Sequence, residues 1–177
     1  MNSRPITSVI LIWIACFMFR LFPFRVPNVE PILAAQMPLA KRYGVFAGFF
    51  FGFFSIVLFD VVTIRVGPWT ILTAVAYGAL GLFASMYFRG KTSVKKYVGF
   101  AIVGTIFYDA VTGLTMGPFF FHQTFLSALS GQIPFTVYHL VGNVVFASTL
   151  SPYIDRLLSR AHLSAPAQSP LAQPTHS

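Results

Sequence analysis

Six polar residues interrupt otherwise apolar runs of this chain: Glu30, Asp60, Arg65, Asp109, His139 and Asn143. Carboxylates, an imidazole and a carboxamide are costly in a lipid-soluble sequence, so groups of this kind face one another, a cavity or a solute. Two chemistries fit them. As a recognition set, the carboxylates and amide would orient a solute by directed hydrogen bonds. As a reaction set, Asp60 and Asp109 would be an acid and a base activating water. Spacing strengthens the first: Gln132, Thr136, His139 and Asn143 recur at intervals of four, three and four, and Thr70, Thr73 and Tyr77 at three and four, which aligns each set along one helix face.

The elements that must position these residues follow from composition. Of 177 residues, 56% are hydrophobic, 17% aromatic and only 9% charged, with 21 Phe, a balance that belongs in a bilayer. Runs such as 45–59 and 71–88 are too long for a barrel strand and do not alternate. Only helices and closed barrels satisfy their own backbone in hydrocarbon, so the runs are helices. The expected fold is an all-α integral membrane protein, a six-helix transmembrane bundle spanning 6–23, 28–41, 43–64, 69–88, 95–115 and 133–154. The second span is too short to cross upright and carries Pro31 and Pro38, so it reads as broken. The first run could be taken for a signal peptide, but Arg20, Pro23 and Arg25 follow it without a small-x-small cleavage site, so it is read as retained.

In this scheme Arg4, Lys41, Arg42, Arg89, Lys91, Lys95, Lys96, Arg156 and Arg160 lie on one side, against Arg20, Arg25 and Arg65 on the other. Basic residues mark the inner side, so both termini are expected in the cytoplasm. The net charge of +8 is then a matter of topology and anionic lipid rather than of nucleic acid. Residues 1–158 form the membrane domain and 159–177, rich in Ala, Ser, Pro and Gln, a disordered cytoplasmic tail. Segment 117–131, with Phe119, Phe120, Phe121 and Phe125, is expected outside the membrane as a linker or lid. The single Cys16 permits neither an internal disulfide nor a cysteine metal site.

Counting rise along the helices brings Asp60, Asp109, His139 and Asn143 to the outer half of the bilayer, with Asn28 and Glu30 opening span two at the same level. An outward-facing polar pocket results, walled by Trp69, Tyr77, Tyr108 and Tyr138, and suited to an aromatic or heterocyclic solute. The candidate binding residues are Asn28, Glu30, Asp60, Trp69, Tyr77, Asp109, Gln132, His139 and Asn143. Asp60 with Arg65 has a second reading as an interfacial ion pair, and His139 as a core histidine. Gly44, Gly48 and Gly52 form a small-residue stripe, matched by Ala74, Gly78, Gly81 and Ser85, fit for close helix packing or for docking another membrane protein.

Over roughly residues 6–158 the chain resembles the substrate-binding S component of energy-coupling-factor (ECF) transporters. The resemblance is carried by Arg20-Leu21-Phe22-Pro23 leading into Pro27-Asn28-Val29-Glu30-Pro31, Tyr43-Gly44-Val45-Phe46-Ala47-Gly48 with Gly52 and Asp60, Gly67-Pro68-Trp69-Thr70, Tyr77-Gly78, Ile133-Pro134-Phe135-Thr136, Gly142-Asn143 and Pro152. It implies a six-helix subunit that captures a vitamin or related micronutrient outside and releases it inward after docking to a transmembrane coupling subunit and two cytoplasmic ATPases. It implies no cofactor and no catalytic residue, and with no P-loop in the chain ATP hydrolysis falls to the partners. The Ala-x-x-x-Ala pair that many members carry on the first helix is missing, since Phe19 follows Ala15, which leaves the Gly44, Gly48 and Gly52 stripe for docking. Two other readings stand beside it: a solitary small-solute transporter or facilitator, and an intramembrane aspartyl peptidase built on Asp60 and Asp109.

Overall fold

The computed structural model describes residues 3–26 and 28–163. Among them are five helices: α1 (Ser3–Leu21), α2 (Ile32–Val62), α3 (Pro68–Tyr87), α4 (Val94–Phe121) and α5 (Phe125–Leu163). Four of these, α2 to α5, are long and apolar enough to cross a membrane. Large apolar side chains such as Leu11, Phe46, Phe50, Ile71, Val103, Ile133 and Val141 point outward. So much exposed apolar surface is stable only in lipid, and the chain is a multi-pass membrane protein.

Five helices replace the six expected, because the spans at 28–41 and 43–64 are the two arms of α2. They are joined through Gly44, whose φ of 86° and ψ of −170° are non-helical. The chain reverses there. Gln36 Nε2 donates to the Gly48 carbonyl at 2.9 Å, a pair that a straight helix would hold about 18 Å apart. A Cβ built on Gly48 would meet Ala40, and one on Gly52 would meet Gln36, so the arms run antiparallel in close contact about Gly44. A positive φ at a one-residue turn is what glycine tolerates and other residues do not.

The short first arm is the centre of the molecule, with every residue from Pro31 to Ala40 buried. A helix buried on all sides must be apolar on all sides, as Ile-Leu-Ala-Ala-Gln-Met-Pro-Leu-Ala nearly is. The exception, Gln36, also donates to the Tyr77 carbonyl of α3 at 2.9 Å, and Ser151 of α5 donates to the Ala34 carbonyl at 2.8 Å. Gly48 and Gly81 bring the second arm and α3 backbone to backbone.

The helix ends sort into two sets. At one, Lys41 pairs with Asp155 at 2.6 Å beside Thr92, and Arg42 reaches the carbonyls of Leu158 and Ser159. At the other, Trp69 stacks on Phe121. Segment 117–131 is not a linker: α4 runs to Phe121, α5 starts at Phe125, and His122 in a left-handed conformation (φ 51°) closes the first. Residues 159–163, expected in the tail, continue α5, and 164–177 lie outside the described residues.

Candidate functional site

α4 and α5 face each other through two polar rungs. His139 Nδ1 lies 2.8 Å from Asp109 Oδ1, and Asn143 Nδ2 donates to Thr105 Oγ1 at 2.8 Å. Within each helix the two residues are four apart and share a face, so antiparallel packing matches 109 with 139 and 105 with 143. All four side chains are buried.

Tyr108, on the same stretch of α4, sits edge-on to His139 with centroids 5.9 Å apart and edge-on to Tyr77 of α3 at 4.9 Å. Both tyrosines lie within electrostatic reach of Glu30 and Arg20. Glu30, buried just ahead of the central arm, pairs with Arg20 of α1 at 3.0 Å. The Arg20 guanidinium rests 4.0 Å above the Phe59 ring and donates to the Ser55 carbonyl, while Trp13 Nε1 donates to Ser55 Oγ at 2.8 Å. A guanidinium stacked on an aromatic face and paired with a carboxylate is how a buried arginine keeps its charge.

Within this cluster three buried polar atoms make no hydrogen bond inside the protein: Asp109 Oδ2, His139 Nε2 and Asn143 Oδ1. Native interiors pair the large majority of such side-chain atoms, so these on α4 and α5 keep hydrogen-bonding capacity that the protein itself does not use. They supply two kinds of chemistry. Asp109 Oδ2 and Asn143 Oδ1 offer acceptor lone pairs, whereas His139 Nε2 donates or accepts according to the tautomer of its ring.

The remaining candidates lie elsewhere. Asp60 does not pair with Arg65: its carboxylate accepts from the Thr70 hydroxyl at 2.6 Å, and Thr70 in turn accepts from the Gly67 amide at 3.1 Å. That carboxylate thus ties the end of α2 to the start of α3, while Arg65 is exposed. Trp69 stacks on Phe121 near the surface and donates to the Arg65 carbonyl. Asn28 holds a left-handed turn (φ 63°) before the central arm. Gln132 packs on Gly113 and lines an apolar groove with Ile106, Leu114, Ile133 and Val137. Tyr138, expected as a wall, is 55% exposed. Gly48 and Gly52 are buried against α3 and Gln36, so they offer no surface to a partner, and Gly44 is the turn.

Sequence reasoning named Tyr108 as a pocket wall but missed Arg20, Ser55 and Thr105 as members of the cluster. Thr105 had a signal, lying one turn before Asp109. Arg20 counted only as an outer-side base. Beside it a cavity of about 490 Å³ opens, lined by Arg20, Leu21, Phe22, Pro23, Arg25, Phe59, Thr63 and Arg65.

No family model matches the chain, and no solved structure does. A protein of Saccharolobus solfataricus, named provisionally as a UDP-N-acetylglucosamine–dolichyl-phosphate N-acetylglucosaminephosphotransferase, is 31% identical over 117 residues. The match covers 66% of this chain and 33% of that protein, so the chain spans a third of the relative's length.

Proposed function

We propose that this protein is the capture subunit of a micronutrient importer: a six-span membrane protein, the α2 arms counted separately, that binds a vitamin-like solute and hands it to an ATP-driven coupling module. It has no turnover of its own in this reading. Both termini lie in the cytoplasm, and the Arg20, Arg25 and Arg65 end faces outward across a bacterial or archaeal cytoplasmic membrane. The carrying observation is the set of unmatched buried atoms on Asp109, His139 and Asn143, in a cluster walled by Tyr77 and Tyr108. Tyrosine faces fit a planar ring, and mixed donors and acceptors fit a heterocycle's edge.

The test is mass spectrometry of small molecules released from protein purified in mild detergent, beside an Asp109→Ala, Asn143→Ala double variant. A stoichiometric compound present in the first and absent from the second supports capture. Release of nothing from either, across several growth media, counts against it. Co-purification of a membrane partner and ATPases separates this reading from a solitary facilitator.

The relative's name favours a second reading, transfer of a phosphosugar to a lipid phosphate. Incubation with UDP-N-acetylglucosamine and dolichyl phosphate tests it directly, with turnover as the readout. The peptidase reading has less support, since Asp60 is bonded to Thr70 and Asp109 to His139.

A further inference from the structure

We infer that the cavity beside Arg20 is a binding site for a phosphate group. It adjoins the cluster around Asp109 at Arg20 and does not depend on the uptake reading. Three arginines line it, Arg20, Arg25 and Arg65, together with Thr63. Glu30 pairs with Arg20, which leaves the charges of Arg25 and Arg65 without a carboxylate among the lining residues. Asp60, the nearest other acid in sequence, is bonded to Thr70 and does not line the cavity.

Arg25 is held rather than free. Arg25 Nε donates to the Arg20 carbonyl at 2.9 Å, which fixes its fork, and its NH1 is buried with no hydrogen-bond partner in the protein. Arg65 is positioned by the turn after α2, where its amide donates to the Asp60 carbonyl at 2.8 Å. A buried guanidinium nitrogen without an acceptor is an expensive feature unless an anion completes it. Two uncompensated positive charges match the charge of about −1.5 to −2 on a phosphomonoester near neutral pH, and guanidinium forks bind its oxygens in pairs.

The surroundings add a second character. Phe22 lines the cavity, Phe24, Ile64 and Val66 are chain neighbours of lining residues, and all four are more than half exposed, Phe24 at 86% and Ile64 at 93%. An apolar rim around a basic cleft is the surface met by a lipid headgroup with its acyl chains alongside. The same phosphate chemistry is offered by a soluble phosphate ester, so the test has an arm for each source.

Full-length protein in detergent is titrated with phenyl phosphate by calorimetry, and with phosphatidic acid against phosphatidylcholine by native mass spectrometry. Each titration is repeated on Arg25→Gln, Arg65→Gln and on Arg25→Lys, Arg65→Lys, with size-exclusion profiles verifying that the variants fold. Saturable binding of either phosphate compound, at least tenfold weaker in the glutamine variant and partly kept in the lysine variant, is expected. Phenyl phosphate binding assigns a soluble ester, and selective phosphatidic acid binding assigns a lipid. Binding of neither compound, or binding unchanged in both variants, overturns the inference. Should the glutamine variant fail to fold, loss of affinity in the lysine variant, which keeps charge but loses the paired fork, carries the test instead, and full affinity there overturns it.

Discussion

His139 and Asp109 meet at 2.8 Å in the interior, each with a second polar atom, Nε2 and Oδ2, that bonds nothing in the protein. One half of each side chain therefore fixes the geometry of the pair, and the other half is presented inward. Removing either partner leaves the other buried without its hydrogen bond, at about 1–3 kcal/mol and more where that group is charged. Asp109→Ala is expected to lower the unfolding temperature in detergent markedly. Asp109→Asn keeps the shape and one acceptor, so it should be milder in stability yet still lose bound solute at least tenfold.

The second rung is neutral and should count for less. Interhelical hydrogen bonds in membrane proteins contribute about 0.6 kcal/mol on average. Thr105→Val is therefore expected to cost about 1 kcal/mol or less in reversible unfolding. Asn143→Leu, which also removes the free Oδ1, should cost little stability while weakening solute retention.

Glycines separate packing from helix propensity. A Cβ on Gly48 would lie 2.6 Å from the Gly81 carbonyl oxygen, and one on Gly81 2.1 Å from that of Gly48, both backbone atoms that cannot step aside. Gly48→Ala and Gly81→Ala should each sharply reduce the yield of folded protein in fluorescence-detected size exclusion. Gly99 has nothing within 4 Å of its Cβ position, and Gly99→Ala in the α4 interior is expected to be neutral or to stabilise by up to about 1 kcal/mol.

Asp60 and Thr70 form a staple between α2 and α3, so their substitutions should not add. In a double-mutant cycle of Asp60→Asn and Thr70→Val followed by thermal unfolding, a coupling of about 0.5–3 kcal/mol is expected. Independent effects would show that the 2.6 Å bond contributes nothing to the fold.

Lys41 and Asp155 are the contrasting pair. Their side chains are 23% and 19% exposed, and Thr92 also donates to the same carboxylate oxygen. Partial hydration screens such a bridge, so Lys41→Met should cost about 1 kcal/mol or less, well below Asp109→Ala in the same assay.

The membrane class and the helical character were legible because each depends on local quantities, apolar run length and the absence of alternation, whereas the break expected within the second span from prolines 31 and 38 is not there: the helix runs through Pro38 and departs from helical geometry at Gly44. The facing of His139 and Asn143 was legible for the same reason, since a four-residue interval fixes a shared face whatever lies opposite. What lies opposite was not. Thr70 rather than Arg65 holds Asp60, Arg20 crosses to Glu30, and Gln132 and Tyr138 turn away from the cluster.

The sequence by itself determined that this chain belongs in lipid and which helix faces are polar, because period and hydropathy are properties of neighbours along the chain. Only the tertiary structure decided that the reversal expected between 41 and 43 falls at Gly44, that the short arm forms the core, and which buried atoms are left without partners. Those outcomes depend on antiparallel registers between helices, where two residues meet by the way whole elements pack, and no interval along a single helix encodes that.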